Sequence, residues 1–244
     1  MLIETSHCPF CDNGHKTPCF ARYSDGYKCY SCGAYKRSDR RFIPKDKPMH
    51  WNIELPELCP SMGLSGLQYL YQYYVTDAVI RKYRIVQAFD GSLIFPVSIN
   101  NEVVFYVRRW LHRKIVKNVG NIVRPIFGEG ETLVIVEDFI SAIRVAETTS
   151  CLCLFGTKCD YKTIHKIISQ YNQIVIWLDG DKAGQTSASN LRLQLRKQIK
   201  HTRNTRRFDD KDIKITNLCT KKDPKCYSNE EIRMLLCRWM NSLL

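Results

Sequence analysis

The sequence has no apolar run approaching the ~20 residues that a membrane-spanning helix requires. Its opening residues, MLIETSHCPF, carry neither a basic stretch nor an apolar segment of the kind that directs secretion. Neither a membrane location nor export is therefore expected, and the chain is read as a cytoplasmic protein. No G-x4-G-K-[ST] phosphate loop occurs, which excludes a P-loop motor, and no internal repeat is present. Acidic residues are few: 24 Asp+Glu stand against 37 Lys+Arg, a formal net charge of +13. Such an excess points to a polyanionic partner, nucleic acid ahead of a membrane surface. The 12 cysteines are about 5% of the 244 residues, short of the ~8–10% of disulfide scaffolds, so a reducing compartment is expected. A hydrophobic content of 44% over this length suffices for a folded chain with a real core.

Four regions follow from the patterning. Residues 1–42 are poor in aliphatic side chains and rich in Cys, Gly and charge, as in a small metal-stabilised module. Residues 43–60, opening with Ile43-Pro44-Lys45-Asp46-Lys47-Pro48, read as a linker. Residues 61–128 read as a mixed α+β subdomain. A helix is predicted from about 62 to 82 through Leu67, Leu70, Tyr71, Tyr74 and Ile80. Strands are predicted at Ser92–Ile99 and Glu102–Val107, turning at Asn100-Asn101.

Residues 129–244 alternate apolar runs with helical stretches. Strands are expected at Leu133–Val136, Leu152–Phe155, Ile174–Leu178 and Ile213–Leu218. Helices are expected from about Phe139 to Glu147 and Lys162 to Ser169, and in a long segment carrying Ala188, Leu191, Leu195 and Ile199. That alternation predicts a parallel sheet covered by helices. Ser228-Asn229-Glu230-Glu231 has the form of a capping box, opening a last helix with Ile232, Leu235, Leu236 and Trp239. The fold class is α/β: an N-terminal ribbon, a basic α+β subdomain and a helix-flanked parallel sheet.

Cys8-Pro9-Phe10-Cys11 and Cys29-Tyr30-Ser31-Cys32 form C-x2-C-x17-C-x2-C, two knuckles able to converge four thiolates on one structural Zn²⁺ per chain. His7, His15 and Cys19 are alternative ligands within the same module. Between the knuckles, Arg22, Tyr23, Tyr27 and Lys28 mix cationic and aromatic side chains suited to phosphate contact and base stacking. The remaining cysteines tested by pattern, Cys151, Cys153, Cys219 and Cys237, fall in apolar contexts where a buried thiol is ordinary.

Glu137 directly follows one predicted strand, and Asp179-Gly180-Asp181 directly follows another. Ligands of open parallel sheets collect beyond the carboxyl ends of the strands, so these three carboxylates can meet at one point. Carboxylates suit hard Mg²⁺ or Mn²⁺, whose usual work is on phosphate oxygens. The alternative is that each acid simply caps the helix after it. Small Ala183 and Gly184 would let that helix start close to the carboxylate loop. From 103 to 128 the chain carries Arg108, Arg109, Arg113, Lys114, Lys117 and Arg124 without one acidic residue. A second basic tract, Arg192, Arg196, Lys197, Lys200, Arg203, Arg206 and Arg207, follows and is read as solvated or as tracking DNA.

The loop Asp179-Gly180-Asp181-Lys182-Ala183-Gly184, paired with a glutamate after an earlier strand, resembles the Toprim fold shared by bacterial-type primases, topoisomerases and some nucleases. With the upstream ribbon it resembles the primase half of phage primase-helicases. Further matches are Lys16-Thr17-Pro18, Leu93-Ile94-Phe95-Pro96-Val97, Arg124-Pro125-Ile126-Phe127-Gly128, Phe155-Gly156-Thr157, and Asp223-Pro224-Lys225 leading to Glu230-Glu231-Ile232. They span nearly the whole chain. The sequence departs from many relatives after the motif glutamate, where Asp138 and Ser141 replace a glycine and an aspartate.

The resemblance implies a DNA primase. It implies that Glu137, Asp179 and Asp181 are catalytic and hold Mg²⁺ or Mn²⁺, while Arg108, Arg109 and Lys117 bind DNA or nucleotide. It further implies ribonucleoside triphosphates as substrates, single-stranded DNA as template, a helicase on a separate polypeptide, and the host cytoplasm if the origin is viral. The alternatives are a Toprim nuclease, which the carboxylates would equally serve, and a noncatalytic zinc-ribbon adaptor that binds single-stranded DNA. A topoisomerase needs a tyrosine in a separate gating domain, for which the chain has little room.

Overall fold

The structure is a computed structural model and describes residues 2–11, 18–23, 26–37, 53–113, 115–204 and 212–241. Residues 43–52 of the predicted 43–60 linker, His15, and the Lys16-Thr17 match lie outside the described residues, as do Lys114 and the side chains of Arg203, Arg206, Arg207 and Trp239. Among the described residues no helix is long and apolar enough to cross a membrane.

The chain begins with a four-stranded antiparallel sheet in sequential order: β1 (Leu2–Ser6), β2 (Phe20–Tyr23), β3 (Gly26–Cys29) and β4 (Tyr35–Arg37). Among its described residues the buried apolar side chains are Cys8, Cys11, Ala21, Cys29 and Ala34, with Phe10, Phe20 and the ring of Tyr161 packed around the cysteines. So small an apolar core makes the thiols the structural centre of the module.

Two short helices follow, α1 (Leu64–Tyr71) and α2 (Asp77–Lys82), where the sequence pattern predicted one. The break has a local cause. Tyr74 sits at φ 58°, and the Thr76 hydroxyl accepts from Val79 N at 3.4 Å, so Thr76 caps a new helix whose first residue is Asp77. A second antiparallel sheet then runs β5 (Val86–Gln87), β6 (Leu93–Ile99), β7 (Glu102–Trp110) and β8 (Ile115–Gly120). Asn100 and Asn101, at φ 51° and 66°, turn β6 into β7, the left-handed pair that a two-residue hairpin requires. The chain is already docked on this sheet before α1, since Leu58 bridges Ala88 and Cys59 N donates to Gln87 O at 2.8 Å.

The third sheet is built from β9 (Ile126–Phe127), β10 (Thr132–Val136), β11 (Ser150–Cys153), β12 (Gln173–Ile176) and β13 (Lys214–Asn217), in the order β13-β12-β10-β11-β9. All pairs are parallel except β9 against β11. The connecting helices are α3 (Phe139–Val145), α4 (Tyr161–Gln170) and α5 (Lys182–Asn204); a 3₁₀ turn at Pro224–Cys226 precedes α6 (Asn229–Asn241). The predicted capping box at the start of α6 is formed, with Glu231 N donating to Ser228 Oγ at 3.2 Å and Ser228 N donating to the Glu231 carboxylate at 2.7 Å.

Strand alternation divides the core in two. Leu133, Ile135, Leu152, Ile174 and Ile176 face α4 and α5, whereas Val134, Val136, Cys151, Cys153, Val175 and Trp177 face α3 and α6. The result is a three-layer sandwich with both sheet faces covered. The α+β subdomain shares a third core with it, in which Phe95 and Phe139 lie 5.2 Å apart and Phe105 and Phe155 lie 4.8 Å apart. The cysteines of that sandwich are free thiols; Cys151 and Cys153 are buried as their apolar context predicts, whereas Cys219 and Cys237 are exposed, because they lie on the solvent side of the chain after β13 and of α6.

Candidate functional site

The order β13-β12-β10-β11 places a topological switch at β10. From β10 the chain crosses to β11 on one side, and β12 returns on the other, with α3 on one face of the sheet and α5 on the opposite face. The carboxyl ends of β10 and β12 therefore splay open into a crevice, the place where ligands of such sheets bind. Glu137-Asp138 leaves β10 there and Asp179-Gly180-Asp181 lies beyond β12, so the topology brings together the two segments singled out by sequence.

The helix-cap alternative holds for some of these acids and not for others. Asp138 is the N-cap of α3, accepting from Ile140 N at 2.9 Å and Ser141 N at 3.1 Å, and Asp181 accepts from Gly184 N at 2.7 Å at the start of α5. Glu137 and Asp179 cap nothing. Gly184 is required as expected, because a Cβ at that position would collide with the carbonyl oxygen of Asp179. A Cβ on Gly180 would lie 2.6 Å from Thr220 O, so the carboxylate loop is also pressed against the chain after β13.

That following segment supplies two groups which sequence reasoning quoted only as a match and did not place in the site. Lys225 Nζ sits 3.1 Å from Asp138 Oδ2 and 3.1 Å from Asp223 Oδ2, with its side chain 14% exposed, and Asp223 Oδ1 accepts from Gly180 N at 3.3 Å. The signal that could have found them was the pairing of an acid and a base, Asp223 and Lys225, after the last strand of the sheet.

The electrostatics follow from crowding. Burial first, then the charges of Asp138, Asp223 and Glu137, push the Asp179 carboxyl up to about 7 against the pull of Lys225. Burial, Asp138 and Asp181 likewise raise Glu137. Burial works against the Lys225 ammonium, but Asp138, Asp179 and Asp223 outweigh it and hold the proton more firmly than on a free lysine. Asp179 Oδ1 is buried and accepts no hydrogen bond. A buried carboxylate oxygen without a donor, among carboxylates that repel each other, fits a hard divalent cation. Without an ion the three carboxylates do not close on one point: among the described residues, only the four cysteines have their ligand atoms all within 4.8 Å of one another.

Ser141, where the sequence departs from the motif it resembles, is fully buried and donates its hydroxyl to Asp138 Oδ2 at 2.7 Å. It braces the α3 cap. The Phe155-Gly156-Thr157 match lies on the same rim, with Gly156 N donating to Glu137 O at 3.1 Å and Phe155 at φ 53°.

The basic residues expected to act together are separated by strand alternation. Arg109 shares the face of β7 that carries Phe105 and Val107 toward the core shared with α3, and its guanidinium lies 5.0 Å over the ring of Tyr69. Arg109, Asp138 and Lys225 all act on the Tyr69 hydroxyl, which places Arg109 at the crevice. Arg108 lies on the opposite face, bound to Asp90 at 2.7 Å and to Ser92 Oγ at 2.9 Å and stacked 4.7 Å over Trp110. Lys117 pairs with Arg108 across the strands and shares that outer face. Arg124 is taken up by Asp160 at 2.6 Å. Of the second basic tract, Arg192, Arg196, Lys197 and Lys200 line a separate cleft of about 830 Å³ between α5 and β13.

In the ribbon, Cys8 and Cys32 sulfurs are 3.8 Å apart and those of Cys11 and Cys29 3.7 Å. A tetrahedral ion with bonds of ~2.3 Å to sulfur sets sulfurs about 3.8 Å apart, so the cluster has the dimensions of a zinc site. Backbone N–H groups of Phe10, Ser31 and Cys32 point at Cys8 and Cys29 sulfurs at 3.3–3.4 Å. Cys19 touches Cys29 at 3.7 Å but stands outside the group of four. Tyr27 is used internally, stacked on Phe10 at 5.5 Å, and Arg22 pairs with Glu4 at 3.3 Å. Tyr23 and Lys28 remain at the surface beside Tyr30, which is 64% exposed. The module rests on α4, where Tyr161 N donates to Cys32 O at 3.4 Å.

Residues 134–216, most of the sandwich, match the family model described as Toprim-like. No curated protein sequence matches the chain. Among solved structures, the chain is similar to the E. coli primase catalytic core at 16% identity, over 74% of this chain and 77% of that one, with a TM-score of 0.54. It is similar to the zinc-binding and RNA polymerase domains of the Aquifex aeolicus primase at 13% identity, over 98% of this chain and 80% of that one, with a TM-score of 0.53. A DnaG primase catalytic domain bound to single-stranded DNA matches at 16% identity over 74% and 75% of the two chains, with a TM-score of 0.56. At these identities the likeness is one of fold.

Proposed function

We propose that this protein is a DNA primase that makes short RNA primers from ribonucleoside triphosphates on a single-stranded DNA template. The observation that carries the reading is that Glu137 and Asp179-Gly180-Asp181 leave the neighbouring strands β10 and β12 at the switch point of the sheet, close enough for their charges to act on one another, with Arg109 facing the same crevice. Primase structures are among those of like fold, one of them bound to single-stranded DNA and another, from Aquifex aeolicus, carrying zinc-binding and RNA polymerase domains.

In the reaction, the 3′-hydroxyl oxygen of the growing primer forms a bond to the α-phosphorus of the incoming nucleotide. The bond to the bridging oxygen breaks, pyrophosphate leaves and the hydroxyl proton passes to solvent. Mg²⁺ or Mn²⁺ held by Glu137, Asp179 and Asp181 would neutralise charge on the phosphates. Arg109 binds the triphosphate from the subdomain side, its guanidinium oriented by the Tyr69 ring. Lys117 and Arg108 lie on the outer face, where Lys117 contacts template phosphates and Arg108 chiefly holds Asp90 and Trp110 in place. Zn²⁺ on Cys8, Cys11, Cys29 and Cys32 holds the ribbon, which clamps the template through exposed Tyr23, Lys28 and Tyr30. A helicase on another polypeptide would open the duplex, and the work would take place in the cytoplasm. The ribbon packed on the core favours priming over the nuclease reading, which would need the carboxylates alone.

The test is incorporation of labelled ribonucleotides on mixed-sequence single-stranded DNA with Mg²⁺ or Mn²⁺, comparing the intact protein with Asp179→Ala. Short template-dependent products, lost in the variant while DNA binding persists, are expected. Template degradation would instead identify a nuclease, and binding without products an adaptor.

A further inference from the structure

Five carboxylates converge at the crevice, but hydrogen bonding divides them into two unlike groups. Asp138 has every lone-pair position of its carboxylate in use: Oδ1 accepts from Ile140 N and Ser141 N, and Oδ2 accepts from Ser141 Oγ at 2.7 Å and Lys225 Nζ at 3.1 Å. Asp223 is held from both ends, by Gly180 N on Oδ1 and Lys225 Nζ on Oδ2. Lys225 thus bridges two acids that follow different strands, β10 and β13. Its side chain is 14% exposed, and the ring of Tyr73 lies 5.9 Å from the ammonium. Glu137, Asp179 and Asp181 remain outside this pair of ion pairs, and Asp179 Oδ1 has no donor.

From this partition we infer that Lys225 is a built-in cation that takes the place of a second divalent ion, so that the protein by itself binds one ion at Glu137, Asp179 and Asp181. The inference rests on the primase reading of that site and specifies its metal stoichiometry. Two-ion phosphoryl-transfer sites set their metals ~3.5–4 Å apart on shared carboxylates. Here a second ion would have to take Asp138 and Asp223 as ligands, and both have an ammonium at 3.1 Å. A lysine is a compact point charge with three donors and no open coordination position. It bridges the two acids and offsets one of their two negative charges permanently, but it cannot activate a bound oxygen. Any further ion at the reaction must therefore arrive with the nucleotide phosphates rather than wait on the protein.

The test is a Mn²⁺ titration of the zinc-loaded protein without nucleotide, read by electron paramagnetic resonance of free and bound ion. The wild type should bind one Mn²⁺, lost in Asp179→Asn. Lys225→Gln, which keeps a donor but removes the charge, should bind two, with dipolar broadening between neighbouring ions. Lys225→Arg, which keeps the charge, should still bind one. Two ions on the wild type, or one on a folded Lys225→Gln, would overturn the inference while leaving the primase reading intact. No Mn²⁺ on the wild type would overturn both. Should Lys225→Gln fail to fold, the wild-type stoichiometry alone still decides the question.

Discussion

Replacing Asp179 by Asn should make the metal-free protein more stable and at the same time inactive. In the fold the Asp179 carboxyl is pushed from its ordinary 3.8 up to about 7, first by burial and then by Asp138, Asp223 and Glu137. Because the folded value lies above the unfolded one, the folded protein carries no penalty below about pH 4. The penalty grows as pH rises toward 7 and is complete above it. The full displacement is worth at most about 4 kcal/mol, and a carboxylate that still reaches water feels about half of it, ~2 kcal/mol. In a unit of this size each 1 kcal/mol moves the melting temperature by about 2–4 °C, so the variant should melt roughly 4–8 °C higher at pH 8. At pH 4.5 the two proteins should melt nearly together. Thermal unfolding at the two pH values without divalent ions, followed by a primer-synthesis assay, measures both halves. An Asn variant that is less stable at pH 8, or that shifts equally at both pH values, would refute the account of the crevice as a crowd of charges waiting for a cation.

Three further outcomes follow from the same geometry. Chelation of zinc should abolish the structure of the ribbon and weaken DNA binding while the main thermal transition stays, since the ribbon's buried core is little more than its cysteines; metal release and circular dichroism read this. Ser141→Ala removes the hydroxyl bond to Asp138 and should cost about 1 kcal/mol with a several-fold loss of primer synthesis, whereas Gly184→Ala, which drives a methyl into the Asp179 carbonyl, should lower it by about 100-fold with the zinc site intact. Arg109→Ala should raise the KM for nucleotides about tenfold with little change in stability, whereas Arg108→Ala should lower stability by ~1 kcal/mol and leave nucleotide KM unchanged; equal effects on KM would contradict their placement on opposite faces of β7.

Much of this protein is written locally and can be read without coordinates. The two knuckles are legible for Cys8, Cys11, Cys29 and Cys32 because each pair has two residues between its cysteines, and such a spacing needs no distant partner to be recognised. The alternation of β10, β11, β12 and β13 with helices is visible because strands buried on both faces must be apolar throughout, and a parallel sheet needs crossovers. Glu137 and Asp179-Gly180-Asp181 stand out because they end such strands.

Other relations exist only once the chain has packed, whether their partners are far apart in sequence or close. Lys225 enters the crevice because the chain after β13 passes beside the β12 loop, a consequence of strand order that no periodicity encodes. Ser141 braces Asp138 because both sit in the first turn of α3, and the bond exists only once that turn is buried. Arg108 and Arg109 look equivalent as neighbours, yet a strand sends consecutive side chains to opposite faces, and only packing against α1 and α3 decides which face looks at the carboxylates. Local patterning carries most of the elements and the chemistry each bears, though not the break between α1 and α2 or the short strands β5 and β9. The third dimension determined which charges meet, because electrostatic interactions depend on distance through space and not along the chain.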